Sequence, residues 1–175
     1  LVRDSLKAYL LPLLNAWSFF TIYAELDNFD PSDGQSAPNF TDRSPLDRWI
    51  LSQLQQCIAT VTEELNNYRI VPATAAIESF IEALTNWYIR RSRRRFWKSE
   101  ADQDKSSAYW TLYEVLCSLA RLSAPFTPYL AERMHQALVR PFRSTAPNSV
   151  HLDSWPNCDA KRIDGPTVAR MEAAR

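Results

Sequence analysis

Six basic side chains are crowded into one short part of the sequence. We call the stretch NWYIRRSRRRFWKSE, from Asn86 to Glu100, the arginine segment; its cations are Arg90, Arg91, Arg93, Arg94, Arg95 and Lys98. The whole chain has 20 basic and 20 acidic residues. The stretch from Asn86 to Lys98 contains all six cations and no acidic residue, so the rest of the chain has 14 basic and 20 acidic residues and a net charge of −6. A positive patch on an acidic body attracts a polyanion locally without making the whole surface adhesive.

Two aromatic residues, Phe96 and Trp97, lie among these cations. Guanidinium groups bind phosphate in a bidentate manner and exposed rings stack on nucleobases, so the combination favours RNA or DNA binding. A simpler interpretation is a solvated helix end, whose cations lie near the negative pole of the helix dipole. Six cations exceed what a helix end requires, but both interpretations stay open on the residues alone.

Residues that could carry catalysis or hold a metal are sparse. The sequence has no glycine-rich phosphate loop, and neither His135 nor His151 lies near a candidate nucleophile. The cysteines, Cys57, Cys117 and Cys158, are odd in number and form no C-x-x-C pair, which argues against a zinc site and a disulfide framework. We therefore expect no catalytic residue and no cofactor in this chain, and a reducing cytoplasm as its environment.

The elements that position the arginine segment are predicted to be helices throughout. The chain contains only two glycines, and its apolar residues recur at three- and four-residue steps. No stretch approaches the roughly 18 to 20 apolar residues that cross a bilayer. The charges near the N-terminus and the lack of a cleavage site argue against a signal peptide. The predicted fold class is all-α.

Capping residues and prolines divide the chain into about five helices. We predict helices from about Arg3 to Glu25, from a Ser44 cap through Tyr68, from Pro72 to near Lys98, through Tyr109 and Leu119 to before Pro125, and from a Thr127 cap and Pro128 to Pro141. Pro12 is expected to bend the first helix, and Asp47 to complete a capping box with Ser44. Residues 1–142 are thus predicted to form a helix bundle, followed by an irregular tail over 143–175 that ends in the start of a further helix. A half-formed helix seldom ends a domain, so we expect the chain to be part of a longer protein.

Each predicted helix has an apolar stripe that should face its neighbours. The inward positions are Leu6, Leu10, Leu13, Trp17 and Phe20 in the first helix, Ile50, Leu54, Cys57, Val61, Leu65 and Tyr68 in the second, Ile77, Ile81, Leu84 and Tyr88 in the third, and Tyr109, Leu112, Leu116 and Leu119 in the fourth.

At 100° per residue, the third stripe continues onto Arg91 and Arg95, which we predict to be partly buried beside carboxylates or carbonyls. Arg90, Arg94 and Trp97 lie off that stripe. We predict that both of these arginines face solvent or RNA.

The sequence also resembles a known family at these positions. LTNWYIRRSRRRFW resembles the signature helix of the anticodon-binding domain of isoleucyl-tRNA synthetases, which are class I aminoacyl-tRNA synthetases. LLPLLNAWSFFTIYAELDNFDP is similar to the first helix after their catalytic domain, LDRWILSQLQ to the next, LARLSAPFTPYLAERMHQALV to the fourth and fifth, and SVHLDSWP to the segment after the bundle. The LDRWIL-like and APFTPYLAE-like features are shared with the valyl, leucyl and methionyl relatives, whereas NWY followed by doubled arginines and RRRFW points to the isoleucine family. The resemblance covers most of Leu1 to Pro156.

This resemblance implies a helix bundle that receives the anticodon stem-loop of isoleucine tRNA, while a separate domain attaches isoleucine with ATP. The residues expected to bind tRNA are Arg90, Arg91, Arg93, Arg94, Arg95, Trp97 and Lys98. The HIGH-like and KMSKS-like nucleotide motifs and the editing domain of the class are not found in this sequence. Cys158 alone does not make the cysteine-rich zinc module of many bacterial members.

We therefore expect a non-catalytic, monomeric, cytoplasmic part of an enzyme of this family, with ATP, and zinc where the module occurs, bound elsewhere. Its partners would be isoleucine tRNA and the catalytic domain of the same chain. The alternative is a structural docking module, in which Arg91, Arg95 and Phe96 pack on the catalytic domain and the bundle makes little contact with tRNA.

Overall fold

The computed structural model describes residues 6–32, 34, 37–100 and 102–174. Within these ranges the chain forms helices and no strand, so the prediction of an all-α fold is confirmed. The α-helices are α1 (Leu11–Leu26), α2 (Pro45–Asn66), α3 (Ile70–Glu82), α4 (Arg90–Trp97), α5 (Gln103–Ser123), α6 (Pro128–Leu138) and α7 (Gly165–Ala173). Two π-helical segments, Leu6–Leu10 and Ala83–Ile89, lead into α1 and α4, and short 3-10 turns occupy Phe40–Asp42, Val150–Leu152 and Ala160–Arg162. No helix in the described ranges combines the length and the apolarity that crossing a membrane requires.

The start of the first helix differs from the predicted pattern. Its expected beginning at Arg3 lies outside the described residues. Pro12 lies in the first turn of α1, where a missing backbone N–H is tolerated. Leu6, predicted to face inward, is 41% exposed, while Tyr9 is buried and donates a hydrogen bond to Ser123 Oγ at 2.7 Å. The π-helical turn shifts the buried side of the helix, so that Tyr9 and Leu13 face inward.

Helix α2 begins as the sequence predicts and ends earlier. Ser44 Oγ accepts the Asp47 backbone N–H at 3.2 Å, and Pro45 takes the first helical position. The stripe from Ile50 through Val61 is buried. Tyr68, predicted to continue it, is 93% exposed because the helix ends at Asn66 and Tyr68 adopts a left-handed conformation with φ of 58°. The prediction for Tyr68 is wrong.

The third predicted helix is divided into α3, a π-helical segment and α4. It begins at Ile70 rather than Pro72 and continues to Trp97. Hydrogen bonds in a π turn close one residue later than in an α-helix, so the residues that follow are rotated relative to a uniform α-helix. The buried side after Tyr88 therefore continues on Ser92 and Phe96.

Helices α5 and α6 form a hairpin across the bundle. The predicted inward residues of α5, from Tyr109 to Leu119, are buried, and α6 begins at Pro128 as expected. The cap predicted at Thr127 is wrong: its hydroxyl donates to the Ser123 carbonyl at 3.3 Å and accepts no backbone N–H of α6.

The C-terminal residues pack along α2. Ser52 Oγ donates to the Arg162 carbonyl at 2.8 Å and accepts the Asp164 backbone N–H at 3.0 Å. Trp155 Nε1 donates to Thr62 Oγ1 at 2.8 Å. The tail thus shares contacts with the bundle, and the division at residue 142 stays a prediction.

Candidate nucleic-acid interface

Helix α4 carries most of the cations of the arginine segment, and the ring of Phe96 packs it against the bundle. Phe96 is buried, with its ring centroid 5.1 Å from that of Phe19 and 4.9 Å from that of Tyr109. The interpretation that placed Phe96 among exposed, stacking rings is therefore wrong. Trp97, the next residue, is 56% exposed and is the ring of α4 that remains open to a ligand.

Arg95 lies at the edge of the buried side and binds a carboxylate in the core. Its two terminal nitrogens donate to Asp47 Oδ1 and Oδ2 at 2.7 Å each, in the bidentate geometry that guanidinium favours. Asp47 is fully buried and also accepts hydrogen bonds from Tyr88 at 2.7 Å and Ser107 at 3.1 Å. The prediction that Arg95 is partly buried beside a carboxylate is confirmed, since its side chain is 13% exposed.

This arrangement keeps both members of the ion pair charged. Burial acts to raise the pKa of Asp47, but hydrogen bonds and charge from Arg95, with further bonds from Tyr88 and Ser44, outweigh it and hold that pKa below its ordinary value. Burial acts to lower the pKa of Arg95, and the bonds to Asp47 more than reverse it, so the pKa of Arg95 is raised. Burial and the Asp47 charge raise the pKa of Tyr88, which stays a donor.

Lys98 is paired as well, at the surface. Its Nζ lies 2.5 Å from Asp102 Oδ2 and 3.4 Å from Asp104 Oδ2, where the link from α4 ends and α5 begins. The hydrogen bond to Asp102 raises the pKa of Lys98. Both the lysine and the aspartates are partly exposed, and such pairs stabilise a fold by about 0 to 1 kcal/mol.

The position of Arg91 contradicts the sequence prediction. Arg91 is exposed, and its guanidinium carbon lies 4.0 Å above the centroid of the Trp87 ring rather than beside a carboxylate or carbonyl. The physical reason is the π-helical segment, which brings Ser92 to the position that a uniform α-helix would give to Arg91. The cation–π contact leaves the donors of Arg91 open to a further acceptor.

The remaining arginines of α4 are exposed and have no ion pair in the described part of the chain: Arg90, Arg93 and Arg94. Arg90, Arg94 and Trp97 follow one another at four- and three-residue steps, so they share one face of the helix. We call these three residues the cationic face. The prediction that Arg90 and Arg94 face solvent is confirmed. Arg93 lies on another side, at a groove of about 520 Å³ that residues of α1, α3 and the π-helical segment Ala83–Ile89 line, among them Asn86 and the carboxylates Glu78 and Glu82.

Sequence reasoning missed a second arginine cluster, which is built from three distant segments. Glu114 of α5 accepts Arg43 at 3.1 Å and also binds Arg162 from the C-terminal 3-10 turn. Arg43 is buried and donates to Thr111 at 3.1 Å as well. No local pattern connects these residues, so only the folded chain reveals the cluster. Asp47 was missed as the partner of Arg95 because its position three residues after Ser44 is already explained by capping of α2.

Comparison with known proteins shows what kind of domain carries this helix. A family model described as the anticodon-binding domain of tRNA ligase matches residues 47–175, a range that includes most of α2, all of α4 and the C-terminal turns. The chain belongs to this family. This match confirms that the chain is an anticodon-binding domain, as the resemblance of the arginine segment predicts.

Individual relatives of this anticodon-binding domain agree with one another. Isoleucine–tRNA ligase from Dehalococcoides mccartyi strain CBDB1 is 48% identical over 164 residues, or 94% of the chain. The enzymes of that name from Thermus thermophilus and Clostridium novyi are 45% and 41% identical, each over 99% of the chain. The chain spans 16% of the length of each of these three relatives.

Proposed function

We propose that this chain is the tRNA-binding part of an isoleucine–tRNA ligase and that the cationic face contacts the anticodon stem-loop of isoleucine tRNA. The observation that supports this proposal is the group of exposed arginines on α4 that have no carboxylate partner in the described part of the chain. At Glu114, by contrast, both arginines of the cluster have a carboxylate partner. Cations without protein acceptors are free to bind phosphate oxygens.

The chemistry of the cationic face suits an RNA loop. Arg90 and Arg94 lie one turn apart, so their guanidinium groups can reach neighbouring phosphates of one strand. Trp97 presents its ring at the end of the same face, where an unstacked base of a loop can stack on it. Arg91, ordered by Trp87, and Arg93 extend the positive surface to either side.

The activity of the whole protein also belongs to this proposal. In it, the longer chain couples isoleucine to its tRNA with ATP in the cytoplasm, acts as a monomer, and uses the present region to hold the tRNA. The residues of this region do not fit ATP or zinc: there is no glycine-rich phosphate loop in the sequence, and the described residues contain no group of three His, Cys, Asp or Glu side chains that could hold a metal. Both groups would bind elsewhere in the longer chain.

The docking-module alternative loses much of its basis. It required Arg91, Arg95 and Phe96 to pack on a catalytic domain, but Arg95 and Phe96 make their contacts inside the bundle. Arg91 alone remains available for that role. Contacts with tRNA therefore account better for the exposed cations.

The proposal is tested by titrating the chain with isoleucine tRNA and with a non-cognate tRNA at two salt concentrations. Each neutralised phosphate adds about 0.7 to 0.9 to the slope of log affinity against log salt, so we expect a slope of a few units. We also expect the isoleucine tRNA to bind more tightly. Binding that does not change between low and moderate salt would overturn the proposal.

A further inference from the structure

We infer that Asp47 is a positioning residue for RNA binding: by holding Tyr88 and Arg95, it fixes the rotation of α4 that turns the cationic face outward. Asp47 itself is fully buried and lies in α2, so it touches no RNA. The inference rests on the proposed function, because it explains how the same face is oriented.

The first argument is the number of donors that meet on this carboxylate. Oδ1 accepts Tyr88 and one Arg95 nitrogen, each at 2.7 Å. Oδ2 accepts the other Arg95 nitrogen at 2.7 Å, Ser44 at 2.8 Å and Ser107 at 3.1 Å. A buried carboxylate is stable only when its charge is paired and its oxygens accept hydrogen bonds, so loss of Arg95 would leave an unpaired charge and loss of Tyr88 would remove one bond from Oδ1.

The second argument is the place of these donors along the chain. Tyr88 lies within the π-helical segment, and Arg95 lies two turns further on in α4. Asp47 therefore holds the chain on both sides of the junction where the π turn passes into the α-helix. Arg95 also donates to the Asp104 carbonyl at 2.9 Å and pairs with its carboxylate at 2.8 Å, which fixes α4 against the start of α5.

The third argument is what would follow from the other helical register. If Ala83 to Trp97 formed a uniform α-helix, Arg91 would take the inward position of Ser92, and the outward face would shift by about one residue. Phe96 would then turn toward solvent, and the cationic face would be rotated about the helix axis away from its observed direction. The ring contacts of Phe96 favour the observed register. The hydrogen bonds to Asp47 make that register specific, because a hydrogen bond forms only when donor and acceptor are correctly oriented.

The decisive variant is Tyr88→Phe, which removes one bond to Asp47 and keeps the ring in the core. Its matched control is Tyr113→Phe, which removes a comparable buried bond, from Tyr113 to the Leu138 carbonyl at 2.9 Å, away from α4. Below the melting temperature of both variants, we expect Tyr88→Phe to weaken binding of isoleucine tRNA by about three- to tenfold. We expect less than about a twofold change for the control. Equal losses of affinity in the two variants would show that Asp47 has only a general structural role.

A double-mutant cycle separates orientation from stability. In the Arg90→Ala/Arg94→Ala background there are no arginines on the face left to orient, so Tyr88→Phe should cause no further loss of affinity. A loss of the same size in both backgrounds would overturn the inference. Asp47→Asn should give a larger loss than Tyr88→Phe in the wild-type background; if Asp47→Asn does not fold, the Tyr88→Phe cycle still decides.

Failure of the inference is distinct from failure of the proposed function. If the wild-type chain binds isoleucine tRNA and Arg94→Ala weakens that binding, the proposed function stands whatever Tyr88→Phe does. If the wild-type chain shows no binding, the proposed function is wrong, and the positioning role is wrong with it because there is no RNA binding to position.

Discussion

Two arginine clusters of this bundle differ in how many of their arginines have a carboxylate partner. In the Glu114 cluster, one carboxylate binds Arg43 and Arg162, and neither arginine projects into solvent without a partner. On α4, a buried carboxylate binds Arg95 alone, and the neighbouring arginines of the same helix have no ion pair in the described part of the chain. The first cluster holds distant segments of the chain together. The second holds α4 on the bundle and leaves the other arginines of α4 exposed.

The comparison shows that the number of arginines does not locate a binding surface. Arg43 and Arg95 are both held by carboxylates, and their contacts are explained by the fold. What distinguishes α4 is the set of cations that remains after its internal pairs are made. A protein of zero formal net charge that leaves several arginines unpaired on one helix presents a local site for a polyanion.

The largest expected effect is on stability, when the carboxylate of either cluster, Asp47 or Glu114, is removed. Asp47→Ala removes the partner of Arg95 and leaves Tyr88 without its acceptor, so we expect it to lower the free energy of unfolding by about 3 to 5 kcal/mol. Glu114→Ala should cost less, about 1.5 to 3 kcal/mol, because Glu114 is 30% exposed and Arg43 keeps its bond to Thr111. Urea denaturation of both variants measures the difference. A larger loss for Glu114→Ala would contradict the view that the α4 anchor is the more deeply buried one.

A smaller effect is expected from pH. The pKa of Asp47 is lowered in the folded state, so the stability that its charge contributes is present above the ordinary value of 3.8 and is lost as the pH falls through the folded-state pKa. The difference in unfolding free energy between wild type and Asp47→Asn should thus be constant from about pH 7 to pH 5 and shrink below about pH 4. Tyr113→Phe is the control, since no group in that contact titrates in acid. A gap that widens in acid would mean that Asp47 is protonated in the folded state at neutral pH.

The smallest effect concerns the cation–π pair. Arg91→Ala removes the guanidinium from the Trp87 ring and should cost about 0.5 to 1 kcal/mol of stability. Arg90→Ala removes an exposed charge with no such contact and should change stability by less than about 0.5 kcal/mol. Thermal unfolding of the two variants compares them. A cost of several kcal/mol for Arg91→Ala would instead support the buried position that a uniform α-helix predicts.

Much of the fold follows from local patterns, and the exceptions have identifiable causes. Ser44 and Pro45 specify the start of α2, and the apolar stripes specify which helix faces are buried. Tyr68 departs from its stripe because the chain turns with positive φ after α2. Asn66 and Asn67 are typical of a helix end, but the stripe alone carries the pattern past them. The outward position of Arg91 depends on a π turn, which has no clear sequence signal and can be favoured only by tertiary contacts.

The candidate site was predictable only in part, because the helical pattern of the sequence does not show the π turn before α4. A helical pattern placed Arg90 and Arg94 outside and Arg95 inside correctly, because the register error of one residue does not change their sides. It failed at Arg91 and Phe96, where one residue of rotation decides between core and solvent. The partner of Arg95, 48 residues away in sequence, could be found only in the folded chain.

The central claim is that the unpaired arginines of the cationic face bind tRNA, and a charge-matched pair of variants tests it most directly. Arg90→Ala/Arg94→Ala removes two cations from the face, and Arg133→Ala/Lys161→Ala removes two exposed cations from α6 and the C-terminal 3-10 turn. Binding of isoleucine tRNA is measured for wild type and both variants at several salt concentrations. We predict that the first variant binds more weakly and that its log–log salt slope falls by about 1.4 to 1.8, the value for two lost phosphate contacts, while the second stays close to wild type. Equal affinities and slopes for the two variants would contradict the account.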